Sequence, residues 1–196
     1  MSTLMFHGGV YRVSENKSSK YRAGFMKEEI ILVDEYDRQV GTAEKLAVHR
    51  SGDLHRAFSI FVFNEHDEML LQKRARNKYH SGGLWTNTCC SHPRPGENLR
   101  QATSRRLREE MGFSCRLKKA FDFIYKAKLD NDLTEHELDH VFVGKYQGKI
   151  SPDKNEVMDF RWYKLPDLKR EISKSPHKFT IWFRIALEQL DYRNIV

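Results

Sequence analysis

The sequence predicts an α/β sandwich, with helices packed on mixed sheets. Two contrasting patterns carry this expectation. Residues 58–63 (Phe-Ser-Ile-Phe-Val-Phe) are an aromatic and β-branched run of the length of a buried strand. Residues 96–112 instead place Leu99, Ala102 and Thr103, then Leu107 and Met111, at helical spacing. From residue 29 onward strand and turn patterns alternate around that helix, and the chain closes on a second amphipathic one.

In chain order, residues 30–33 (Ile-Ile-Leu-Val) read as a short apolar strand ended by the polar turn at 34–38. The buried strand at 58–63 is followed by a hairpin turn at 64–67 and a partner strand at 69–73. The helix over 96–112 has Gly112 as its stop. Strands are expected at 121–129, 138–146 and 160–163, and the closing helix at 179–190. There is no internal repeat or low-complexity block.

A chain of 196 residues fits one domain and buries a core without disulfide staples. Residues 1–25 are polar, rich in Gly, Ser and Lys, and without periodicity. The expected organisation is therefore a flexible basic tail over 1–27 and a single domain over 28–196. Met26, followed by Lys-Glu-Glu-Ile-Ile-Leu-Val, has the form of a natural start, so the tail is expected to be an upstream extension.

The net charge is +7, of which the first 27 residues hold +4 and the remainder +3. No basic stripe interleaved with aromatics accompanies it, so nucleic acid is not the expected partner. A small anionic substrate accounts for the excess equally well. No apolar run nears the roughly 18 residues of a membrane span, and no secretory apolar core is present. Three cysteines are too few and too odd a number for a disulfide framework, and they suit a reducing cytoplasm. A monomer or weak dimer is expected, since no long interface helix or coiled coil is legible.

Two constellations carry chemistry. In the first, Glu97, Arg105, Leu107, Glu109, Glu110 and Gly112 resemble the Nudix box, whose helix presents glutamates to a magnesium-bound diphosphate. The plain alternative is a solvated helix with an Arg106–Glu110 pair at i,i+4. Two positions depart from the box: Ser91 stands where Gly is usual, and Arg106 where Glu is usual. A cation in place of a metal ligand would hold phosphate oxygens directly and weaken the metal cluster that activates water in a hydrolase. The departure points to a diphosphate gripped but not cut.

The second constellation is histidine-rich: His49 and His55 flank a Ser-Gly-Asp turn, His92 follows Cys89-Cys90-Ser91, and Glu135-His136-Glu137 comes later. If the last segment is extended, Glu135 and Glu137 share a face. Three imidazoles and two carboxylates could fill an octahedral site for a divalent ion. Zinc on Cys89, Cys90 and His92 is a rival reading that lacks a second ligand cluster.

Together these residues resemble type I isopentenyl-diphosphate isomerase, a Nudix-fold family that moves a carbon–carbon double bond. The resemblance spans roughly residues 30–190. It rests on Trp85-Thr86-Asn87 leading to Cys90-Ser91-His92-Pro93, on residues 105–112, on Glu135 and Glu137, and on residues 153–162 (Asp-Lys-Asn-Glu-Val-Met-Asp-Phe-Arg-Trp). It implies a Nudix-like α/β/α sandwich with a loop–helix–loop motif, acting in isoprenoid biosynthesis.

The resemblance also implies roles. His49, His55, His92, Glu135 and Glu137 would bind one metal (Mn2+, Mg2+ or Zn2+), and Glu110 with the Cys90 carbonyl would hold a Mg2+ that arrives with the diphosphate. Lys45, Arg74, Lys78 and Arg106 would contact phosphate oxygens, each with an alternative reading as a surface cation. Glu137, assisted by Tyr125, and Cys90 would be the opposed acid–base groups. A thiol suits that role because its ordinary pKa of about 8.5 is readily tuned towards neutrality. Trp182 would place a π face over the developing cation, with core packing as the alternative. Cys89 should face away from Cys90 into the core, and Cys115 reads as core or surface. Against the isomerase stand a Nudix hydrolase, disfavoured by Arg106, and an inactive ligand-binding Nudix module, disfavoured by the complete metal set.

Overall fold

The computed structural model describes residues 28–195. The expected basic tail over 1–27 lies outside the described residues. In chain order the elements are β1 (Glu29–Val33), β2 (Gln39–Glu44), α1 (Lys45–Ser51), β3 (His55–Phe63), β4 (Met69–Arg74), β5 (Trp85–Thr86), β6 (Cys89–Ser91), α2 (Leu99–Met111), β7 (Leu117–Lys128), β8 (Thr134–Lys145), β9 (Val157–Tyr163), α3 (Leu165–Lys174) and α4 (Ile181–Tyr192).

The strands form one mixed sheet centred on β3. One edge of β3 runs parallel to β8, with His55 opposite Glu137 and Phe63 opposite Lys145. Its other edge is shared in turn by β1, β6 and β4, all antiparallel. A strand paired on both edges and covered on both faces needs apolar residues throughout, and eight of the nine β3 residues are buried.

Side-chain alternation along β3, β6 and β8 sends residues to two cores. Phe61, Val141, Phe121 and Tyr125 pack with Trp182, Phe183, Ala186 and Leu190 of α4. Phe58, Ile60, Val62, Cys89 and Phe142 pack with Ala102, Leu107 and Met111 of α2. The layers are therefore α/β/α, as expected.

The expected strands and both long helices are present, with shifted ends. α2 begins at Leu99 rather than at residue 96, because Asn98 and Gln101 form a reciprocal capping box and Gly96 is left-handed at φ 79°. It stops at Gly112 as expected (φ 74°), and a Cβ there would lie 2.1 Å from the Ser151 carbonyl oxygen.

Two helices and three short strands have no counterpart in the sequence reading. The carboxylate of Glu44 caps α1 by accepting from the amides of Leu46 and Ala47, a role more often filled by Ser, Asp or Asn. α3 does carry readable signals: a proline in its first turn, Asp167 near its start and Lys174 near its end.

Candidate active site

One cleft opens where the ends of β3, β6 and β8 meet α1, α2 and α4. Its cavity volume is about 50 Å3, and it is lined by Cys90, His92, Glu135, Glu137, Arg74 and Arg106, among others.

Its deepest feature is the histidine–carboxylate set. One ligand atom from each of His49, His55, His92, Glu135 and Glu137 lies within 4.8 Å of every other, and all five residues are buried. The fold brings them together from α1, β3, the residue after β6, and β8. Parallel pairing sets His55 beside Glu137. α1 is clamped to the start of β8 at Gly52, whose left-handed backbone approaches Thr134 and whose carbonyl oxygen lies 3.0 Å from His136 Nδ1. His136 thus faces away from Glu135 and Glu137, as alternation requires.

The set fits a divalent ion. His49 Nδ1 lies 2.7 Å from the Lys45 carbonyl oxygen and His55 Nδ1 lies 2.9 Å from that of Asp53. Those bonds put the ring hydrogens on Nδ1 and leave Nε2 as a lone pair aimed inward, the usual arrangement of histidine ligands. Both Nε2 atoms and Glu135 Oε2 are buried without a hydrogen-bond partner among the described residues. His49 Nε2 faces Glu135 Oε2 at 3.2 Å, and His92 Nε2 faces Glu137 Oε1 at 3.0 Å.

The electrostatics reflect this crowding. Burial and the neighbouring Glu137 charge raise the Glu135 carboxyl above the ordinary range. Burial works the same way on Glu137, but the neighbouring His55 and the 3.0 Å hydrogen bond from His92 outweigh it and hold that carboxyl well below the ordinary range. Burial pushes His92 down to about 3. Tyr125 donates its hydroxyl hydrogen to Glu137 Oε2 at 2.6 Å, and burial followed by the Glu137 charge keeps this phenol protonated.

Cys90 and Cys89 diverge as expected. Cys89 lies in the α2-side core, whereas Cys90 lines the cleft and touches the α4-side core. The rival zinc reading fails because these side chains point to opposite faces of the sheet. Asn87 fixes the short β6 segment by donating to the carbonyls of Ile60 and Cys89, and Thr88 donates to that of Leu70. One expectation needs correction. Burial pushes the Cys90 thiol up to about 12, with Arg74 opposing and Glu110, Glu137 and Asp139 adding to it, so it is a neutral thiol rather than one poised near neutrality.

All four expected phosphate-contacting cations line the same cleft. Lys45 pairs with Glu28 at 3.1 Å, Lys78 with Glu156 at 2.6 Å, and Arg106 with Glu110 at 2.5 Å. Burial works against the Arg106 charge, and Glu110 and Glu156 more than restore it. Arg74 differs: it is buried, has no carboxylate partner among the described residues, and leaves Nε unpartnered. Its guanidinium lies 5.2 Å from the Trp182 ring centroid. Trp182 packs in the α4-side core and also lines the cleft. Glu110 has both oxygens engaged, by Arg106 and by Gln72 Nε2 at 2.8 Å.

Several residues in and behind the cleft wall escaped the sequence reading. Tyr79 lies under Lys45, and its neighbour His80 lies 3.5 Å from Glu135. Glu156 bridges Lys78 and Arg106. Asp139, fully buried behind Glu137 on the same strand face, continues the Glu135–Glu137 alternation, which is the signal that could have found it.

The NUDIX domain family matches residues 53–183. The chain is 50% identical over 165 residues to "Isopentenyl-diphosphate Delta-isomerase 2" of Aromatoleum aromaticum, covering 84% of this chain and 87% of that protein. It is 51% identical over 164 residues to "Isopentenyl-diphosphate Delta-isomerase" of Burkholderia multivorans, covering 84% and 93%. Among solved structures it is similar to a MutT protein from Methanosarcina mazei, with a TM-score of 0.59, 20% identity, and coverage of 72% and 95%, a likeness of fold alone. A Nudix sandwich with half of its aligned residues shared with these isomerases identifies the lineage: the chain belongs to the isopentenyl-diphosphate Delta-isomerase family of the Nudix superfamily.

Proposed function

We propose that the cleft interconverts isopentenyl diphosphate and dimethylallyl diphosphate, with Glu137 and Cys90 as the two proton-carrying groups. The observation that carries this reading is a buried guanidinium without a carboxylate partner, Arg74, in the same cleft as a protonated thiol and a buried five-donor set. An unpaired buried cation is costly unless an anion completes it, and a diphosphate would do so.

The chemistry adds a proton to the terminal methylene and removes one from the methylene two carbons away. The alkene is unactivated, so a strong acid is required and positive charge develops on the tertiary carbon between. A divalent ion held by His49, His55, His92, Glu135 and Glu137 would sharpen the acidity of the remaining Glu137 oxygen. Tyr125 orients that oxygen by its 2.6 Å bond, and Cys90 Sγ exchanges the other proton. Because the reaction is reversible, each group is acid in one direction and base in the other. Trp182 offers its π face to the cation, and the buried aromatic wall excludes water that would trap it as an alcohol.

Divalent-metal dependence follows from the family and the buried donor set. We assign Mn2+, Mg2+ or Zn2+ to the His/Glu site, and Glu110 with the Cys90 main-chain carbonyl would hold a Mg2+ brought in by the substrate diphosphate. Lys45, Lys78 and Arg106 would exchange their present acidic partners for phosphate oxygens. Their clustering with Arg74 supports that grip.

Incubation with isopentenyl diphosphate and Mg2+, followed by proton NMR, should show the trisubstituted alkene growing in. Release of phosphate without alkene migration would overturn the reading in favour of a hydrolase.

We further propose one working domain over residues 28–196, acting as a monomer or weak dimer in a reducing cytoplasm, without nucleic-acid or membrane partners. Supporting this, the long edge strand β7 is guarded by exposed Lys118, Lys119, Lys126 and Lys128. The three cysteines are free, and no helix among the described residues is long and apolar enough to cross a membrane.

A further inference from the structure

The two acidic donors of the buried set are built alike. Glu137 turns Oε1 towards His92 and His55, at 3.0 and 3.7 Å, and gives Oε2 to the Tyr125 hydroxyl. Glu135 turns Oε2 towards His49 and His55, at 3.2 and 4.0 Å, and its Oε1 faces His80 Nε2 at 3.5 Å. His80 is outside the five-donor set and occupies for Glu135 the place Tyr125 occupies for Glu137.

We propose that His80 is a positioning residue: it holds the outer oxygen of Glu135, and thereby the metal-binding geometry, while bracing Trp182 on the substrate side. The inference rests on the metal-site reading above.

The surroundings of His80 suit this. Ser81 Oγ lies 3.3 Å from His80 Nδ1, and with the hydroxyl donating there, the ring hydrogen sits on Nε2 and faces Glu135. The ring meets Trp182 edge-on, centroids 5.5 Å apart at 88°, and Tyr79 at 4.3 Å and 83°. Arg74 Nη2 donates to the His80 carbonyl at 3.3 Å, tying the loop to the unpaired cation.

The backbone is bent to present this side chain. Ser81 is left-handed at φ 50°, and a Cβ on Gly82 would come within 2.5 Å of the Arg76 carbonyl oxygen. A non-glycine residue held at positive φ beside a site is strained and persists where surrounding contacts over-determine it. Outer partners of metal ligands typically contribute about 10–100-fold in metal affinity.

The test is the Mn2+ dissociation constant of the substrate-free full chain, read from the EPR signal of free Mn2+, for the native chain, His80→Gln and His80→Phe. Glutamine keeps an N–H near the Nε2 position, whereas phenylalanine keeps only the aromatic packing on Trp182. The expected result is near-native binding for His80→Gln and binding about 10–100-fold weaker for His80→Phe. Thermal midpoints of all three in EDTA keep a folding defect from imitating metal loss. Native-like binding by His80→Phe, or equal loss in both variants, overturns the inference while leaving the metal site intact. Absence of Mn2+ binding in the native chain overturns both.

Discussion

The Tyr125 hydroxyl donates to Glu137 Oε2 at 2.6 Å, inside a pocket where both residues are buried. Tyr125→Phe keeps the ring and removes this bond. The expected outcome is a fall in kcat of roughly 10–100-fold, below the range for deleting a full acid–base group, with little change in KM. Steady-state kinetics on isopentenyl diphosphate check it, and an equal loss shared with KM would point to substrate binding instead.

Cys90 and Cys89 are neighbours in sequence and occupy different cores. Cys90→Ala should abolish turnover, by roughly 10²–10⁴-fold or more, with the fold retained. Cys89→Ala should keep most of the turnover and lose about 0.5–3 kcal/mol of stability through the cavity it leaves. Paired kinetics and urea melts separate the two, and equal loss of activity in both would contradict the facing of their side chains.

Arg106 sits on Glu110 and approaches Glu156. Arg106→Ala removes the cation from the buried Glu110 carboxylate and leaves the Gln72 bond in place, which should cost about 1–3 kcal/mol. It should also raise KM for the diphosphate. A change in kcat alone, at unaltered KM and stability, would show that Arg106 does not grip phosphate.

Stability should fall with acid through His140. Burial lowers its pKa below the ordinary 6.5, against the opposing pull of Asp37 and Asp122 and with the help of Lys119. As the pH drops through 6.5, the unfolded chain takes up the proton first. The His140 contribution is therefore full above 6.5 and lost as pH falls towards the folded-state value. Denaturation between pH 7.5 and 5 should be steeper with pH for the native chain than for His140→Gln, and identical slopes would refute the assignment.

Metal binding should stabilise the fold, because five buried donors crowd one another until an ion fills them. After EDTA treatment, Mn2+ at about 100 times its dissociation constant should add about 2.7 kcal/mol to the unfolding free energy. Glu135→Gln should lose most of that gain. Calorimetric melts with and without Mn2+ measure both.

Much of this was legible from residues alone, where the physics is local. The central strand reads from its apolar run, α2 from its spacing and Gly112, and the shared face of Glu135 and Glu137 and the divergence of Cys89 from Cys90 from strand alternation. α1 escaped because Glu44 is an unusual cap, and α3 was overlooked despite its proline and charge signals. The meeting of His49, His55 and His92 with Glu135 and Glu137 depends on the parallel β3–β8 register and the Gly52–Thr134 clamp, which join segments about 80 residues apart and leave no periodic trace. The same holds for His80, carried by an irregular loop, and for the isolation of Arg74. The raised Cys90 thiol belongs with them, since burial sets a pKa and burial is settled when distant segments pack. Local chemistry thus named the donors and the thiol, and tertiary packing decided their partners, their protonation and the cleft they share.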